Sequence, residues 1–379
     1  MIKYDYIILG AGASGLMLAY RMAKDPFFDD KSILVIDKTK DKGNDRTWCF
    51  WQKGIGEWDA IVTKTWSKIF FGSKVFSKGI DILPYQYNMI RSQDFYKSLW
   101  EFINTKSNIT FTENTVDNFE TKNERVYVST TNGSYVASKL FNSIPNPSVY
   151  EAQKTYPVLQ QHFVGWFVTT NNDSFDDSVA TFMDFAVPQN GNTRFMYVLP
   201  INKQNALFEY TLFSKEFLQL SEYEAAIKAY LVDKNITDYK ISEVEKGAIP
   251  MTSYKFYQKN SKHILNIGTA GGWTKASTGY TFSNTTKKTK ALVNFLKHNN
   301  DLTKFYKTSK FWFYDLIFLD VLAHHNEEGA AIFASMFRKA NVKTIFKFLD
   351  EESTLIEDLK IILAVPNKRF IQAFFKRLF

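Results

Sequence analysis

The sequence predicts an α/β protein in which a Rossmann-type dinucleotide-binding domain is joined to a substrate domain built on an antiparallel sheet and to a helical C-terminal part. Three observations predict this architecture. A buried strand near the N-terminus runs directly into a glycine-rich loop and a helix; strand-like runs dominate residues 160 to 250; and helical patterns fill most of the chain after residue 300. A chain of 379 residues has room for more than one compact unit.

The composition is that of a globular protein without a disulfide framework. Hydrophobic residues make up 45% and charged residues 23% of the chain, close to the averages for folded domains. The single cysteine, Cys49, excludes disulfides and a cysteine-based zinc site, so we predict no metal and expect any redox chemistry to need a bound cofactor. Aromatic residues reach 17%, which indicates either a large apolar cavity or a biased genome composition.

The distribution of charge and hydropathy predicts a cytoplasmic protein that is soluble or peripheral to a membrane. The first apolar stretch is interrupted by Asp5 and enters the glycine loop, which is not typical of a signal or transit peptide. No stretch approaches the roughly 18 apolar residues of a membrane span. The net charge of +8 is spread over scattered lysines, so we expect no nucleic-acid partner.

The N-terminal unit has the pattern of a dinucleotide-binding βαβ motif. Tyr4 to Leu9 is a buried-strand run, the GAGASG loop follows it, apolar residues then recur at helical spacing, and Ile33 to Ile36 form a second strand. A glycine fingerprint alone is weak, but these elements in this order favour a nucleotide cofactor over chance glycines in a turn. The predicted cofactor-binding residues of this unit are Gly10, Ala11, Gly12, Ala13, Gly15 and Asp37.

The glycines and the acidic residue each have a physical role in this prediction. Gly10 permits the tight turn, Gly12 lets a pyrophosphate approach the backbone, and Gly15 lets helix and strand pack closely. The helix N-terminus offers free N–H groups to the anion. Asp37 ends the second strand about 20 residues beyond the loop, where a carboxylate accepts hydrogen bonds from ribose hydroxyls.

A cluster of one charge pair and three aromatic residues follows the second strand, in the segment DRTWCFW. In a flavin-binding fold this segment passes the flavin ring, so Arg46 would contact phosphate or flavin, while Trp48 and Trp51 would line a cavity. The alternative is an aromatic patch of the core. Composition alone favours the patch, because tryptophan and phenylalanine are mostly packing residues.

The next part of the chain predicts a small antiparallel meander and then a domain boundary. Residues 109 to 142 show short alternating strands with an Asn-Gly hairpin, typical of the meander inserted in many flavin domains, and residues 139 to 143 are predicted to rejoin the parallel sheet. The predicted domains are 1–75, 88–150 and 255–300 for the discontinuous dinucleotide-binding domain, 151–254 for the antiparallel substrate domain, and 301–379 for the helical C-terminal region.

Two carboxylates occur inside the most apolar strand-like runs, Asp184 in FMDF and Glu209 in LFEYTL. Because alternate residues of a strand share a face, Glu209 points with Leu207 and Thr211, away from its aromatic neighbours. It is therefore either exposed to solvent, as charged residues mostly are, or a buried acid over a cavity. Burial would raise its pKa, and a carboxyl that keeps its proton near neutral pH is a candidate general acid.

A second glycine-rich turn follows the strand-like run HILNI, in the segment GTAGGWTKASTGY. A strand, a glycine turn and a following helix again present backbone N–H groups to an anion or a flavin ring. The predicted cofactor-binding residues here are Gly268, Gly271, Gly272, Thr278 and Gly279, and Trp273 is predicted to lie in the substrate pocket.

Four segments together resemble the flavin-dependent lycopene cyclases of carotenoid biosynthesis, most closely the bacterial β-cyclase branch. These segments are GAGASG with Asp37, DRTWCFW, FMDF with ALFEYTLF, and GTAGGWTKASTGY. The glycine fingerprint is shared by many flavoproteins, whereas the other segments in this order are more specific, and the resemblance spans nearly the whole chain. It implies a fold of the p-hydroxybenzoate hydroxylase type that holds FAD non-covalently.

The resemblance also implies a reaction. Family members convert the linear ends of lycopene or a related carotenoid to β-ionone rings by a proton-initiated cyclisation, without net oxidation or reduction and dependent on reduced FAD, for which NAD(P)H is the expected reductant. The family's acid falls on Glu209, which would donate a proton directly or through the flavin, and its second carboxylate falls on Asp184. Trp48, Trp51 and Trp273 would add cation–π contacts to the cationic intermediate.

Two departures from the broader flavin monooxygenases argue against an ordinary hydroxylase. Gly268-Thr269 stands where those enzymes have Gly-Asp, and Asn142 to Pro145 stands where their third strand often ends in Asp-Ala-Arg-Gly. The alternative class is an FAD-dependent NAD(P)H monooxygenase, halogenase or prenyl reductase with an apolar substrate. A third reading is a flavin-binding carrier without turnover.

The last segment of the chain predicts an amphipathic helix that meets a membrane. After Pro366, apolar residues recur at helical spacing among four cations and no acid: Phe370, Ile371, Phe374, Phe375 and Leu378, with Lys368, Arg369, Lys376 and Arg377. This pattern suits a helix whose aromatic residues enter the acyl boundary while its cations face anionic headgroups. The alternative is a helix that caps the substrate domain with its apolar face buried in protein.

Overall fold

The computed structural model describes residues 2–378 and has two large sheets, a small three-stranded sheet and a helical C-terminal part, which confirms the predicted architecture. The strands are β1 Ile2–Leu9, β2 Ile33–Asp37, β3 Thr47–Lys53, β4 Lys64–Trp66, β5 Lys68–Gly72, β6 Lys78–Asp81, β7 Tyr85–Arg91, β8 Ile109–Glu113, β9 Val116–Lys122, β10 Arg125–Thr130, β11 Gly133–Asn142, β12 Leu159–Thr169, β13 Val179–Asp184, β14 Thr193–Asn202, β15 Asn205–Ser214, β16 Lys240–Met251 and β17 Ile264–Asn266. The α-helices are α1 Ala13–Lys24, α2 Ser92–Ile103, α3 Ser148–Glu151, α4 Leu220–Asp233, α5 Phe282–Leu296, α6 Lys310–His324, α7 Gly329–Lys339, α8 Val342–Leu349, α9 Leu355–Ala364 and α10 Asn367–Leu378.

The first sheet has the strand order β8-β2-β1-β11, continued by β10 and β9, and β17 pairs with the C-terminal end of β11. The four strands of the central run pair in parallel, as does β17. The C-terminal end of β1 is buried on both faces, because Ile8 packs in a cluster with α1, α2 and α5, while Ile7 and Leu9 pack against β10. Burial on both faces explains why β1 ends in an uninterrupted apolar run.

The predicted meander is only partly correct. β9, β10 and β11 pair in antiparallel fashion, and β11 then runs parallel to β1, as predicted. β8 instead pairs in parallel with β2, so its assignment to the meander is wrong. An alternating pattern identifies a half-buried strand but does not identify the strand beside it, since the pairing depends on residues distant in sequence.

Gly15 lies where α1 packs closely on the loop after β1. A Cβ built on Gly15 would overlap the carbonyl oxygen of Gly10 and lie 3.2 Å from the Ile8 side chain. We therefore expect Gly15→Ala to lower the free energy of unfolding by about 2 kcal/mol or more, measured by urea titration of the nucleotide-free protein. Gly12→Ala is the control, because its Cβ would meet no described atom within 4 Å. Equal losses of stability in the two variants would contradict this account of α1 packing.

The second sheet has the strand order β16-β12-β15-β14-β13-β5-β6 and is antiparallel except for the pair β13–β5. Its first five strands come from residues 159 to 251, inside the predicted substrate domain. The structure differs from the predicted limit of the first domain at residue 75, since β5 belongs to the second sheet. The short apolar run of β5 has no feature that specifies which sheet it joins.

The small sheet has the strand order β3-β7-β4 and connects the two hydrophobic cores. Side chains alternate along β3, as the period of a strand requires. Trp48 and Phe50 pack with the core of the first sheet, whereas Cys49 and Trp51 pack with the core of the second. The DRTWCFW segment therefore lies between the two large sheets.

The C-terminal helices pack on the second sheet and complete its core. Phe337 of α7 stacks on Phe71 of β5 with ring centroids 4.3 Å apart, and Phe333 of α7 stacks on Phe185 at 5.3 Å. Such aromatic pairs contribute about 0.5–1.5 kcal/mol each beyond their buried area. None of the helices within residues 2–378 is both long and apolar enough to cross a membrane.

Candidate active site

A large cavity of about 1000 Å³ lies between the two large sheets. This volume is at the upper end of the range of roughly 300–1,000 Å³ found for ligand pockets. Its wall contains residues from the loop after β1, the end of β2, β3, and strands β12, β14, β15 and β16 of the second sheet. The predicted site residues that line it are Gly10, Gly12, Ala13, Asp37, Arg46, Trp48, Glu209, Thr278 and Gly279.

The N-terminus of α1 opens into the cavity with backbone N–H groups that no side chain caps. Its N-cap residue is Gly12, which makes no side-chain hydrogen bond to the helix, and the first turn holds no acidic residue. Gly10 makes the preceding turn with a φ of +90°, and the space beside Gly12 is open to 4 Å. Free donors, a helix dipole and open space are what a pyrophosphate needs at this position.

Asp37 lies at the end of β2 and faces the same cavity. Its Oδ2 accepts a hydrogen bond of 2.5 Å from the backbone N–H of Ala11 and lies 3.0 Å from the Nζ of Lys42. The carboxylate therefore fixes the glycine loop and remains beside the cavity, where it can accept hydrogen bonds from ribose hydroxyls.

Several buried polar atoms of the cavity wall indicate that a polar ligand belongs there. Four such atoms have no hydrogen-bond partner within residues 2–378: Asn114 Oδ1, Gln161 Oε1, Thr278 Oγ1 and Thr285 Oγ1. A buried polar group without a hydrogen bond costs about 1–3 kcal/mol, so such groups normally have a partner. Together with the uncapped helix and Asp37, these residues fit a dinucleotide such as FAD, which carries phosphates and many hydroxyl groups.

Four residues form a row across the second sheet and face the cavity. Tyr197 of β14 pairs with Glu209 of β15, Glu209 pairs with Gly165 of β12, and Gly165 pairs with Glu245 of β16. Directly paired residues of antiparallel strands point to the same face, and the three side chains of the row all line the cavity. Of the two orientations that the sequence left open for Glu209, the structure has the one over the cavity.

The carboxyl of Glu209 has few partners that would stabilise its charge. The hydroxyl of Thr211 donates a hydrogen bond of 2.8 Å to its Oε1. Burial, reinforced by the negative charge of Glu245, raises the pKa of Glu209 to about 8. The carboxyl is therefore mostly protonated at neutral pH, which is the state that a general acid requires.

Glu245 is a second carboxylate of the cavity that the sequence reasoning missed. The backbone N–H of Thr47 donates to its Oε1 at 2.9 Å and the Thr47 hydroxyl donates to its Oε2 at 2.6 Å. Burial raises the pKa of Glu245, while the bonds from Thr47 oppose that rise. The signal in the sequence was the run SEVEKG, in which Glu243 and Glu245 share one face of a strand.

A group of neutral side chains lines the cavity together with Glu209. Tyr87, Tyr197, Tyr280 and Cys49 line the cavity, and the hydroxyls of Tyr197 and Tyr280 lie 3.3 Å apart. Burial raises the pKa of each of these four side chains, so all remain uncharged at neutral pH. The sequence reasoning identified none of them as site residues, since each looks like an ordinary core position.

Asp184, the second predicted catalytic residue, lies outside the residues that line the cavity. Its side chain is buried, with Oδ2 accepting a hydrogen bond of 2.8 Å from the hydroxyl of Tyr230 and Oδ1 accepting one of 2.9 Å from the backbone N–H of Ala186. The two carboxylate oxygens therefore connect the end of β13 to Tyr230 of α4 and to the turn that follows β13. This position favours a structural role, and the catalytic role of Asp184 stays a prediction.

Two predicted pocket tryptophans are also away from the cavity. Trp51 is buried and stacks on Phe346 of α8 at 4.6 Å, and Trp273 is buried beside Phe305. The predicted cofactor residues that do not line the cavity are Ala11, Gly15, Gly268, Gly271 and Gly272. The last three belong to a 3₁₀ helix and its end, in which Thr269 is the residue that lines the cavity.

Solved structures with similar folds include a reductase-like protein, a monooxygenase and a flavin-dependent brominase. A geranylgeranyl bacteriochlorophyll reductase-like protein from Thermoplasma acidophilum has a TM-score of 0.62 at 10% identity, covering 98% of both chains. A p-nitrophenol 4-monooxygenase from Pseudomonas putida has a TM-score of 0.59 at 11% identity, covering 98% of this chain and 99% of its own. A flavin-dependent brominase has a TM-score of 0.55 at 13% identity, covering 96% of this chain and 93% of its own. At these identities the likeness establishes the fold.

Comparison of sequences establishes the family. No curated protein sequence matches the chain. The family model described as lycopene cyclase protein matches residues 5–375, nearly the whole chain. The match includes the glycine loop, the strand of Glu209 and the C-terminal helices. The chain therefore belongs to the lycopene cyclase family.

Proposed function

We propose that the chain is a flavin-dependent lycopene β-cyclase, which closes the linear ends of lycopene or a related carotenoid into β-ionone rings with no net redox change. The observation that carries this proposal is the environment of Glu209, a carboxyl that keeps its proton at neutral pH and faces a large cavity among aromatic side chains. Membership of the lycopene cyclase family supports the same reaction.

The proposed cofactor is FAD, with NAD(P)H as its reductant. The N-terminus of α1 and Gly12 would hold the pyrophosphate, Asp37 would bind the ribose, and Thr278 and Gly279, which also line the cavity, would contact another part of the cofactor. Reduced FAD, when bound, would supply negative charge that stabilises a cation in a site of low polarity. The chain's own residues would donate the proton and help to stabilise the cation.

The proposed reaction begins when the Glu209 carboxyl gives its proton to the terminal double bond, which leaves a tertiary carbocation and a carboxylate. The internal double bond then attacks the cation and closes a six-membered ring. Transfer of a proton from the adjacent ring carbon to the Glu209 carboxylate, directly or through solvent, restores both a double bond and the acid, so protons balance and no electron is gained or lost. Tyr87, Tyr197 and Tyr280 would stabilise the cation through their ring faces, at about 0.5–2 kcal/mol for each contact.

A redox enzyme with an apolar substrate is the second candidate, and the fold likeness favours it. The similar structures include a reductase-like protein, a monooxygenase and a brominase, at 10%, 11% and 13% identity. Fold alone does not fix chemistry, because one fold supports many reactions. A redox enzyme would change the hydrogen, oxygen or halogen content of its pigment, whereas a cyclase yields isomers.

The proposal is tested by supplying lycopene in liposomes to the purified protein with chemically reduced FAD. Chromatography should resolve monocyclic and bicyclic isomers of lycopene. Pigments of altered elemental composition would favour the redox candidate. A normal flavin spectrum without any new pigment would favour a carrier.

We also propose that the enzyme meets its hydrocarbon substrate at a membrane, through a surface that we call the C-terminal apolar surface. Nine large apolar residues of α9 and α10 are exposed and define it: Leu355, Ile356, Leu359, Ile362, Leu363, Ile371, Phe374, Phe375 and Leu378. Exposed lysines accompany them at positions 360, 368 and 376. Apolar residues with nearby cations suit an anionic bilayer surface.

One side of α10 is exposed, which supports this proposal, and the other side packs on the protein, which agrees with the alternative of a capping helix. Ala373 is buried and Phe370 packs on the core, so one side of α10 caps the protein. Arg377 pairs with Asp320 of α6 and donates a hydrogen bond of 2.7 Å to the carbonyl of Thr155, just after α3. Arg377 therefore holds the end of α10 to the segment that follows α3, and two residues of α3, Tyr150 and Glu151, line the cavity.

Replacing Ile371, Phe375 and Leu378 together with serine should reduce binding to vesicles of phosphatidylglycerol and phosphatidylcholine by about tenfold or more, because each residue would lose apolar contact with the acyl boundary. Flotation with the vesicles measures this binding. Melting temperature should change little, since all three side chains are exposed. Phe370→Ser is the control for the buried side of α10. Because Phe370 packs on the core, we expect this variant to have a lower melting temperature. Unchanged vesicle binding by the triple variant would place the membrane contact elsewhere.

A further inference from the structure

We propose that Glu245 is a positioning residue for Glu209. Its negative charge, on the other side of Gly165, keeps the proton on Glu209. This inference rests on the proposed function, since a cyclase needs Glu209 to be protonated when the substrate binds. The arrangement itself is a property of the folded protein and can be measured without substrate.

The sheet register brings the two carboxyl groups to the same surface. Glu209 and Glu245 are both paired with Gly165, one on each side of β12. Neighbouring strands are about 4.8 Å apart, and the residue between the two acids has no side chain to separate them. A Cβ at Gly165 would lie 3.4 Å from the Cβ and Cγ of Glu209, which shows how closely this side chain covers the glycine.

Hydrogen bonds decide which of the two acids carries the charge. Glu245 receives two bonds from Thr47, one of them from a backbone N–H, whereas Glu209 receives one bond from the hydroxyl of Thr211. Bonds to a carboxylate favour its ionised form. Glu245 is therefore the first of the pair to lose its proton, and its charge then opposes the ionisation of Glu209.

The positive groups near the pair lie on the side of Glu245. Arg91 donates to the Thr47 hydroxyl at 3.3 Å, stacks on Phe167 and forms an ion pair of 2.5 Å with Glu243. Arg46 also lines the cavity and favours the charge of Glu245. Both cations favour the ionised form of Glu245, while Glu243 pairs with Arg91.

The side of Glu209 has no comparable cation among the described residues that line the cavity next to it. The titratable groups of other elements that interact electrostatically with Glu209 are Cys49 on β3, Tyr197 on β14 and Tyr280 after the glycine-rich turn, and Tyr87 on β7 lies beside these three. Burial raises the pKa of each, so they stay neutral over the range in which the two acids titrate. Within this part of the cavity, Glu245 is the charged neighbour of Glu209.

Infrared titration of the carboxyl C=O bands in the whole protein labelled with ¹³C-glutamate tests this inference. The band lost in Glu209→Gln identifies Glu209. In Glu245→Gln, the midpoint of that band should fall by about one pH unit, a tenfold loss of proton affinity, because the opposing charge is gone. Glu243→Gln is the matched control, since it removes the same charge from the same face of β16 two residues away, and it should move the midpoint less. Equal shifts in the two variants, or no shift in Glu245→Gln, would overturn the inference.

A second comparison does not depend on the folding of Glu245→Gln. In the unaltered protein, the band assigned by Glu209→Gln should lose its proton near pH 8, well above the ordinary range of a glutamate. If it titrates in the ordinary range, near pH 4 to 5, there is no raised proton affinity for Glu245 to maintain, and the inference is wrong. Because neither comparison uses turnover, failure of the chain to cyclise lycopene would refute the proposed function while leaving the result on the two acids intact.

Discussion

Replacing Glu209 with glutamine is expected to abolish ring formation while leaving the fold and flavin content unchanged. The amide has nearly the shape of the carboxyl and can still accept the hydrogen bond from Thr211, but it cannot donate a proton of comparable acidity. Positioned acids contribute about 10²–10⁴-fold to rate, and here the acid starts the reaction, so we expect a loss of about 1,000-fold or more. Initial rates of pigment conversion with reduced FAD measure the effect.

The pH dependence of the unaltered enzyme should agree with this role. A general acid must carry its proton, so the rate should be constant well below the pKa of about 8 and should fall roughly tenfold per pH unit above it. Glu224→Gln on α4 is a control outside the cavity lining and should leave the rate unchanged. Full activity of Glu209→Gln, or a rate that keeps rising above pH 8, would remove Glu209 from the acid role.

Replacing Gly12 with valine is expected to give a folded protein that holds no flavin. Gly12 has an extended backbone with a φ of −77°, which valine adopts readily, and a Cβ there would meet no described atom within 4 Å. The valine side chain would instead occupy the space beside the N-terminus of α1 that a pyrophosphate needs. We expect flavin occupancy below about a tenth of the normal value, because the N–H donors of the helix are blocked.

Flavin absorbance after reconstitution with FAD measures this effect, and circular dichroism checks the fold. Gly79→Val is the matched control, since a Cβ there also meets nothing within 4 Å but the residue is exposed on β6, away from the cavity. Equal flavin occupancy in Gly12→Val and in the unaltered protein would show that the cofactor does not use the glycine loop.

Local pattern was sufficient for much of the fold. The βαβ unit is visible because strand, glycine loop, helix and second strand follow one another within about 40 residues, and each step is specified by neighbouring residues. The antiparallel character of the second sheet follows from the density of strand-like runs between residues 159 and 251. The helical end of the chain follows from apolar residues at helical spacing.

Non-local contacts explain where the predictions failed. β5 joins the second sheet by pairing with β13, more than 100 residues away, and no feature of its own sequence indicates that partner. Trp51 and Trp273 are aromatic residues near motifs, but packing against helices of the C-terminal part and the first domain buries them away from the cavity. Sequence position near a motif is therefore a weak guide to which side chains line a cavity.

The two acids of the cavity also show that the sequence around a residue does not determine whether its side chain lines a cavity. Glu209 was identifiable because an acid inside an apolar strand is unusual, although its orientation required the structure. Glu245 lies in a strand with alternating charges that reads as solvent-facing, and only its pairing with Gly165 reveals that it shares a face with Glu209. Such a pair depends on sheet register, which the sequence of one strand does not specify.

The central claim, that the reaction is an acid-initiated isomerisation, is tested most directly by turning over lycopene in D₂O with chemically reduced FAD and analysing the product by mass spectrometry. The account predicts a cyclic product that carries a single solvent deuterium for each ring and otherwise has the elemental composition of lycopene, while the flavin stays reduced in the absence of oxygen. A product that has gained a hydrogen pair, oxygen or halogen, with one flavin oxidised for each product formed, would contradict it.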